Sequence, residues 1–192
     1  MKAVSQTKKL AHQKNIEQYE LKANTLNEAL VNRAAGRPDF LTFMDLKNRP
    51  TTVSAPEVLA GAKAVAQYLA VRGLEKDDKV VIMLPTGPNF AYVYFGILFA
   101  GGVPVPVSQP AGTNNLAKYL DNLTHIIQDC EAKYFITYEK IKVIAASLMN
   151  ISNLVKGFIF DDEILANAVP AEQYRRLPEV NPDDLALIQY TS

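Results

Sequence analysis

The sequence predicts an α/β fold, a largely parallel sheet with helices on both faces, from three observations. Short β-rich runs alternate with longer helical patterns, the order that βαβ units produce. Several short runs, among them Val80 to Leu84 and Val103 to Val107, are continuously apolar instead of alternating, which suits strands covered on both faces. The longest helical pattern has a start signal, an apolar stripe and a stop signal in the right order.

Taken along the chain, a helical pattern over Thr25 to Ala35 precedes a strand over Phe40 to Met44. The long helix follows from Ser54 to Arg72. Ser54 is its candidate N-cap, Glu57 completes a capping box, Val58, Leu59, Ala62, Val65, Ala66 and Leu69 form the stripe, and Gly73 ends it. The charged loop Glu75 to Asp78 then leads into a core strand, Lys79 to Leu84. A helix over Asn89 to Ala100, a strand over Val103 to Val107 and a helix over Asn115 to Cys130 come next. Tyr134 to Thr137 and Gly157 to Phe160 read as strands around a helical pattern from Glu139 to Met149. After Asn150 the pattern loosens: Asp161, Asp162 and Glu163 read as a solvated turn, and Pro170, Pro178 and Pro182 punctuate a polar surface connection. Leu185 to Tyr190 reads as a final strand.

A chain of 192 residues with 48% apolar composition buries a substantial core, roughly 70% of the surface it would expose unfolded. Twenty basic residues balance twenty acidic ones, so no net field gathers nucleic acid or an anionic membrane. The one cysteine, Cys130, forms no internal disulfide, and with only His12 and His125 there is no zinc or cysteine–histidine spacing. These features fit a reduced, cytoplasmic protein with no metal site and no nucleic-acid partner. Met1 to Lys14 lacks the apolar run and cleavage site of a secretory signal. Charge is absent between Lys79 and Lys118, yet Pro85, Pro88, Gly101, Gly102, Pro104 and Pro106 break that stretch. A bilayer leaves no partner for the backbone groups such breaks expose, so no membrane span is expected.

The informative residues are at the end. A buried run, Leu185-Ala186-Leu187-Ile188, passes into Gln189-Tyr190-Thr191-Ser192, and open α/β sheets place ligand sites beyond the carboxyl ends of their strands. Taken alone, a Ser/Thr pair there is better explained by a turn that bonds its own backbone. In context, Tyr190-Thr191-Ser192 resembles the opening of the glycine-rich signature of the acyl-adenylate-forming ligases. Val80 to Phe90, with Pro85-Thr86-Gly87-Pro88, resembles that superfamily's strand, turn and next helix, and Tyr94-Phe95-Gly96 through Ala100-Gly101-Gly102 to Val107 continues it. Upstream, Leu30 to Ala35, Pro38-Asp39, Phe43, Gly73-Leu74 and Asp77-Asp78 agree in order. Asp183 to Ser192, with Gln189 before the Tyr-Thr-Ser, is most similar to the fatty acyl-AMP ligases. Two departures stand out: Ser108-Gln109-Pro110 replaces an aromatic residue with paired prolines, and Thr52-Val53-Ser54 replaces a Thr-Tyr step.

The resemblance implies residues 1–24 as an extension and residues 25–192 as the N-terminal portion of an AMP-binding ligase domain, ending where the phosphate loop starts. It also implies ATP and Mg²⁺ as cofactors, a fatty acid or other carboxylate as substrate, and an acyl carrier protein or coenzyme A as acceptor. Thr191 and Ser192 would open the ATP phosphate loop, with hydroxyl donors beside converging backbone N–H groups; no catalytic residue is assigned. Hydrogen bonds to charged groups are worth about 1.5–3 kcal/mol each. Loss of three weakens binding about a thousandfold or more, so these residues alone are expected not to adenylate. A coenzyme A ligase, a peptide-synthetase adenylation domain and, from another class, a non-catalytic α/β binding module are the alternatives.

Other tempting residues have plainer readings. The aromatic stripe Phe90, Tyr92, Tyr94, Phe95 and Phe99 reads as packing, His125 as a surface or structural residue, and Cys130 as a buried thiol.

Overall fold

The computed structural model describes residues 23–36, 39–45, 47–110, 115–139, 141, 151–167 and 169–191. Helix α1 (Leu26–Gly36) leads into an antiparallel hairpin of β1 (Asp39–Met44) and β2 (Pro50–Ser54). Helix α2 (Ala55–Val71), strand β3 (Lys79–Met83), helix α3 (Pro88–Phe99), strand β4 (Val103–Pro106) and helix α4 (Leu116–Asp129) follow. Strands β5 (Tyr134–Thr137) and β6 (Gly157–Phe160) and the short helix α5 (Asp161–Ala166) come next, with a 3-10 turn at Ala171–Gln173. The predicted helix over Glu139 to Met149 lies almost wholly outside the described residues.

The four later strands form one parallel sheet in the order β4-β3-β5-β6. Its alternate side chains feed two cores. Val80 and Ile82 of β3, with Tyr134 and Ile136 of β5, face α2 and α3. Val81, Met83, Val105 and Phe135 face Leu123 and Ile127 of α4. Helices therefore cover both faces, as continuously apolar strands require.

Helix α2 realises its sequence signals in full. Ser54 accepts from the Glu57 N–H at 3.3 Å while Glu57 accepts from the Ser54 N–H at 2.8 Å, a reciprocal capping box. Those donors also hold the Glu57 carboxyl below its usual range. At the other end Gly73 takes φ +87°, and its N–H and that of Leu74 reach the carbonyls of Ala70 and Leu69, each at 3.0 Å. This is a Schellman stop, and the left-handed backbone is why glycine stands there.

The hairpin was not legible as a pair of strands. Its second strand holds the β-branched run Thr51-Thr52-Val53, in register with Phe43, Thr42 and Leu41, and its loop is tied by Asp45. That carboxylate accepts from the N–H groups of Lys47 and Arg49, each at 2.8 Å, and from Arg49 Nε at 2.6 Å. Leu30, Val53, Val58 and Ala91 bury the hairpin against α1, α2 and α3.

The predicted solvated turn at Asp161, Asp162 and Glu163 is instead the first turn of α5, where acidic side chains offset the exposed N–H groups. Asp161 is buried and accepts from Asn89 Nδ2 at 2.7 Å. Glu163 accepts from the Tyr68 hydroxyl at 2.5 Å, with Arg72 stacked 3.4 Å above the Tyr68 ring. Burial, reinforced by Glu163, pushes the Tyr68 hydroxyl up.

Leu185 to Tyr190, predicted as a strand, is not one. It runs along the outer edge of β4 and makes one backbone bond to it among the described residues, from the Ile188 N–H to the Pro104 carbonyl at 3.1 Å. The reason is in β4. Val103 and Val107 donate to Asp78 and Ile82 on the β3 side, so the outward positions are Pro104 and Pro106, which have no N–H to give. A neighbour can donate to this edge but cannot receive from it, and no ladder forms.

Candidate functional site at the end of strand β4

The segment after α5 crosses the domain as a strap, held at each step by a specific side chain. Gln67, buried on α2, takes the backbone of Arg175 from both sides: the Arg175 N–H donates to Oε1 at 2.9 Å and Nε2 donates to the Arg175 carbonyl at 3.1 Å. Pro178 covers the turn at Gly101, where a Cβ would stand 2.5 Å from Pro178 Cγ and φ is +77°. Lys76 pairs with Asp184 at 2.8 Å. The Asn181 N–H, and after it Lys76, holds the Asp184 carboxyl below its usual value. Tyr94 then donates to the Ala186 carbonyl at 3.2 Å, Ile188 reaches Pro104, and the Tyr190 hydroxyl donates to Asp129 on α4.

These contacts deliver Thr191 to a cleft of about 1000 Å³ beyond the carboxyl end of β4, walled by α4 on one side and by Gln189 to Thr191 on the other. Ser108, Asn122, His125 and Asp129 join Thr191 in the lining. Tyr119, in the lining, donates to the Ser108 carbonyl at 2.6 Å, and outside the lining Tyr138 donates to Gln109 Oε1 at 3.0 Å. Burial takes the Tyr119 hydroxyl up to about 12, so it stays protonated and keeps donating.

Of the two residues predicted for phosphate, Thr191 is exposed at the mouth of this cleft, and Ser192 lies outside the described residues. Asp129, Asn122 and His125 were not singled out as site residues. Their spacing of three and four puts them on one side of α4, but nothing local tells that this side meets the chain's distant end. His125 is exposed, as the sequence suggested, and Cys130 is buried with its thiol pushed up by burial.

This donor set is incomplete for ATP. Among the described residues, hydroxyls, amides and the His125 imidazole line the cleft with one carboxylate, Asp129, and no lysine or arginine. Polyphosphate needs counter-charge or convergent N–H groups. The residues described do not supply that on their own. No group of three or more metal-ligating side chains occurs among the described residues, and none of their helices is long and apolar enough to cross a membrane.

A parallel sheet covered by helices, with a cleft at the carboxyl end of an edge strand, defines an α/β ligand-binding unit. Its family is the AMP-binding enzymes, to which the chain belongs, matched over residues 30–192. It is 28% identical over 179 residues to the medium-chain-fatty-acid–[acyl-carrier-protein] ligase JamA of Moorena producens, covering 81% of this chain and 29% of that protein. It is 30% identical over 200 residues to a long-chain-fatty-acid–CoA ligase of Bacillus subtilis, covering 87% and 34%. The chain thus spans about a third of the length of these curated relatives. A solved fatty acyl-adenylate ligase from work on E. coli and L. pneumophila superposes with a TM-score of 0.79 at 24% identity, covering 89% of this chain and 30% of that one. Another, from L. pneumophila in complex with acyl adenylate and pyrophosphate, gives 0.73 at 22%, covering 90% and 29%. At these identities the solved structures carry the fold.

Proposed function

We propose that this chain is the N-terminal part of a fatty acyl-AMP ligase, in which ATP and Mg²⁺ activate a fatty acid carboxylate as its acyl-adenylate for transfer to a thiol. The observation that carries the reading is the delivery of Gln189-Tyr190-Thr191 to the cleft beyond β4, within an AMP-binding match that runs to the same residues. Thr191 and Ser192 begin the phosphate-binding loop. The lysine or Mg²⁺ that phosphate chemistry needs comes from outside the described residues, because no lysine or arginine among them lines the cleft. A carrier-protein thiol is the acceptor favoured by the resemblance of Asp183 to Ser192, and the protein works in the cytoplasm.

Fatty-acid-dependent exchange of pyrophosphate into ATP tests this, with a protein extending through the full family domain and the 192-residue chain side by side. Exchange by the longer protein and none by the chain is the expected result. No exchange with any fatty acid would remove the ligase reading, and exchange by the chain alone would show that the cleft needs no further cation. A specific observation keeps coenzyme A in view, the 30% identity to a fatty-acid–CoA ligase. Offering each thiol to the adenylate formed decides between them.

A further inference from the structure

At the amino end of the sheet, opposite the Thr191 cleft, a second cavity of about 260 Å³ lies between the first turn of α1, the Gly101-Gly102 turn before β4 and the strap from Val180 to Ala186. Two of its lining residues are buried side chains, Leu98 of α3 at 4% and Asn27 of α1 at 9% exposure. Asn27 Nδ2 donates to the Leu98 carbonyl at 3.1 Å. The bond fixes the amide plane and leaves Oδ1 as its unused end. Among the described residues, this oxygen is the buried side-chain polar atom that has no hydrogen-bond partner.

The same wall carries N–H groups without carbonyls. Leu26 and Asn27 open an eleven-residue helix, and the N–H groups of a first turn have no intrahelical acceptor. That of Glu28 is taken by Thr25 Oγ1 at 3.1 Å. Charge is already matched here. Asp184, the charged side chain among the described lining residues, pairs with Lys76 at 2.8 Å, and the Glu28 carboxylate accepts from the Asn24 N–H at 2.7 Å. An anion would meet both carboxylates, and a cation would meet the positive end of the α1 dipole. A neutral group with a donor and an acceptor side by side satisfies Oδ1 and the N–H groups together, and a carboxamide is such a group. Leu26, Leu98, Val180 and Leu185 make the rest of the lining apolar.

We propose that this cavity binds a small neutral carboxamide, whose N–H donates to Asn27 Oδ1 and whose carbonyl accepts at the start of α1. A buried acceptor without a partner is costly, so a ligand that brings the donor gains over one that does not. The strap forms one wall of the cavity, and Thr191 stands five residues beyond Ala186. Occupancy therefore ties to α1 the segment that carries Thr191 to its cleft.

The test is saturation-transfer NMR titration of the 192-residue chain with benzamide, beside acetophenone, which keeps the ring and carbonyl and lacks the donor. Benzamide should bind about tenfold more tightly. Asn27→Leu removes Oδ1 and leaves the Leu98 carbonyl its bond from the Gly101 N–H. Leu185→Trp, at a residue 59% exposed, fills the cavity from the strap side without entering the core. Each should weaken benzamide about tenfold or more with circular dichroism unchanged, and Leu185→Trp carries the test alone if Asn27→Leu does not fold. With benzamide at about ten times its Kd, the hydrogen-bonded amides of Asp184 and Ile188 should exchange with deuterium about tenfold more slowly. No binding, equal binding of the two molecules, or benzamide binding that survives Leu185→Trp would overturn the proposal. Strap amides unmoved by bound benzamide would place it elsewhere on the chain and overturn it equally.

Discussion

The Ile188 N–H donates to the carbonyl of Pro104, and the next outward position of β4 is Pro106, which has no N–H to return to the Ile188 carbonyl. The segment that carries Thr191 is thereby kept beside the sheet without being built into it. Pro106→Ala restores the missing N–H. One added hydrogen bond is worth about 0.5–1.5 kcal/mol, so the Ile188 amide should exchange with deuterium roughly two- to tenfold more slowly. Unchanged exchange at Ile188 would mean that proline is not what limits the pairing.

Helices α2 and α3 cross where Gly96 meets Val65. A Cβ on residue 96 would fall 2.5 Å from Val65 Cβ and 2.9 Å from the Ala62 carbonyl oxygen. Gly96→Ala gains about 1 kcal/mol of helix propensity and loses about 1–3 kcal/mol to overpacking. The backbone carbonyl cannot turn aside, so the loss wins. A fall in the urea midpoint is expected; a rise would show that the helices separate at little cost.

What was legible in the sequence was what neighbours in sequence decide. Ser54 and Glu57 cap α2, Gly73 stops it, and the apolar run at Val80 to Met83 is a buried strand, because each of those signals is complete within a few residues. The hairpin was half missed because Thr51-Thr52-Val53 is short and reads equally as the lead-in to a helix. Asp161 was read as solvated because its partner, Asn89, is far off in sequence. The strand expected over Leu185 to Tyr190 failed for a reason some eighty residues away, the spacing of Pro104 and Pro106. Thr191 was named from its motif, and the α4 wall opposite it was invisible until the fold placed it there.

Acid should loosen the strap at Asp184. The Asn181 N–H and Lys76 hold its carboxyl below the ordinary value of 3.8. A depressed folded-state pKa contributes stability that is present above the unfolded value and is lost as pH falls through the folded one. Asp184→Asn should therefore lower the urea midpoint at neutral pH, and the gap from the unmodified chain should close below pH 3.8. A gap that stays constant down the acid limb would show that the loss does not come from the carboxylate's charge, and no gap at neutral pH would show that the ion pair with Lys76 is silent and that the amide replaces the carboxylate as cap.

Tyr190 is packed against the α4-side core while its hydroxyl donates to Asp129. The carboxylate at that hydroxyl pushes its pKa up, which keeps the proton in the bond at any pH the protein meets. Tyr190→Phe removes the bond and leaves the ring. Asp129 is exposed, so water takes over its solvation and global stability should fall by less than about 1 kcal/mol. The local effect is different. Gln189 and Thr191 are exposed on either side of Tyr190, and this hydroxyl is their tie to α4. Their amides should exchange several-fold faster in Tyr190→Phe while the urea midpoint barely moves, and Asp129→Asn, which keeps an acceptor, should show a smaller version of the same change. A large drop in the midpoint with no local change would assign Tyr190 to the core alone and leave Thr191 positioned by the backbone bond at Ile188.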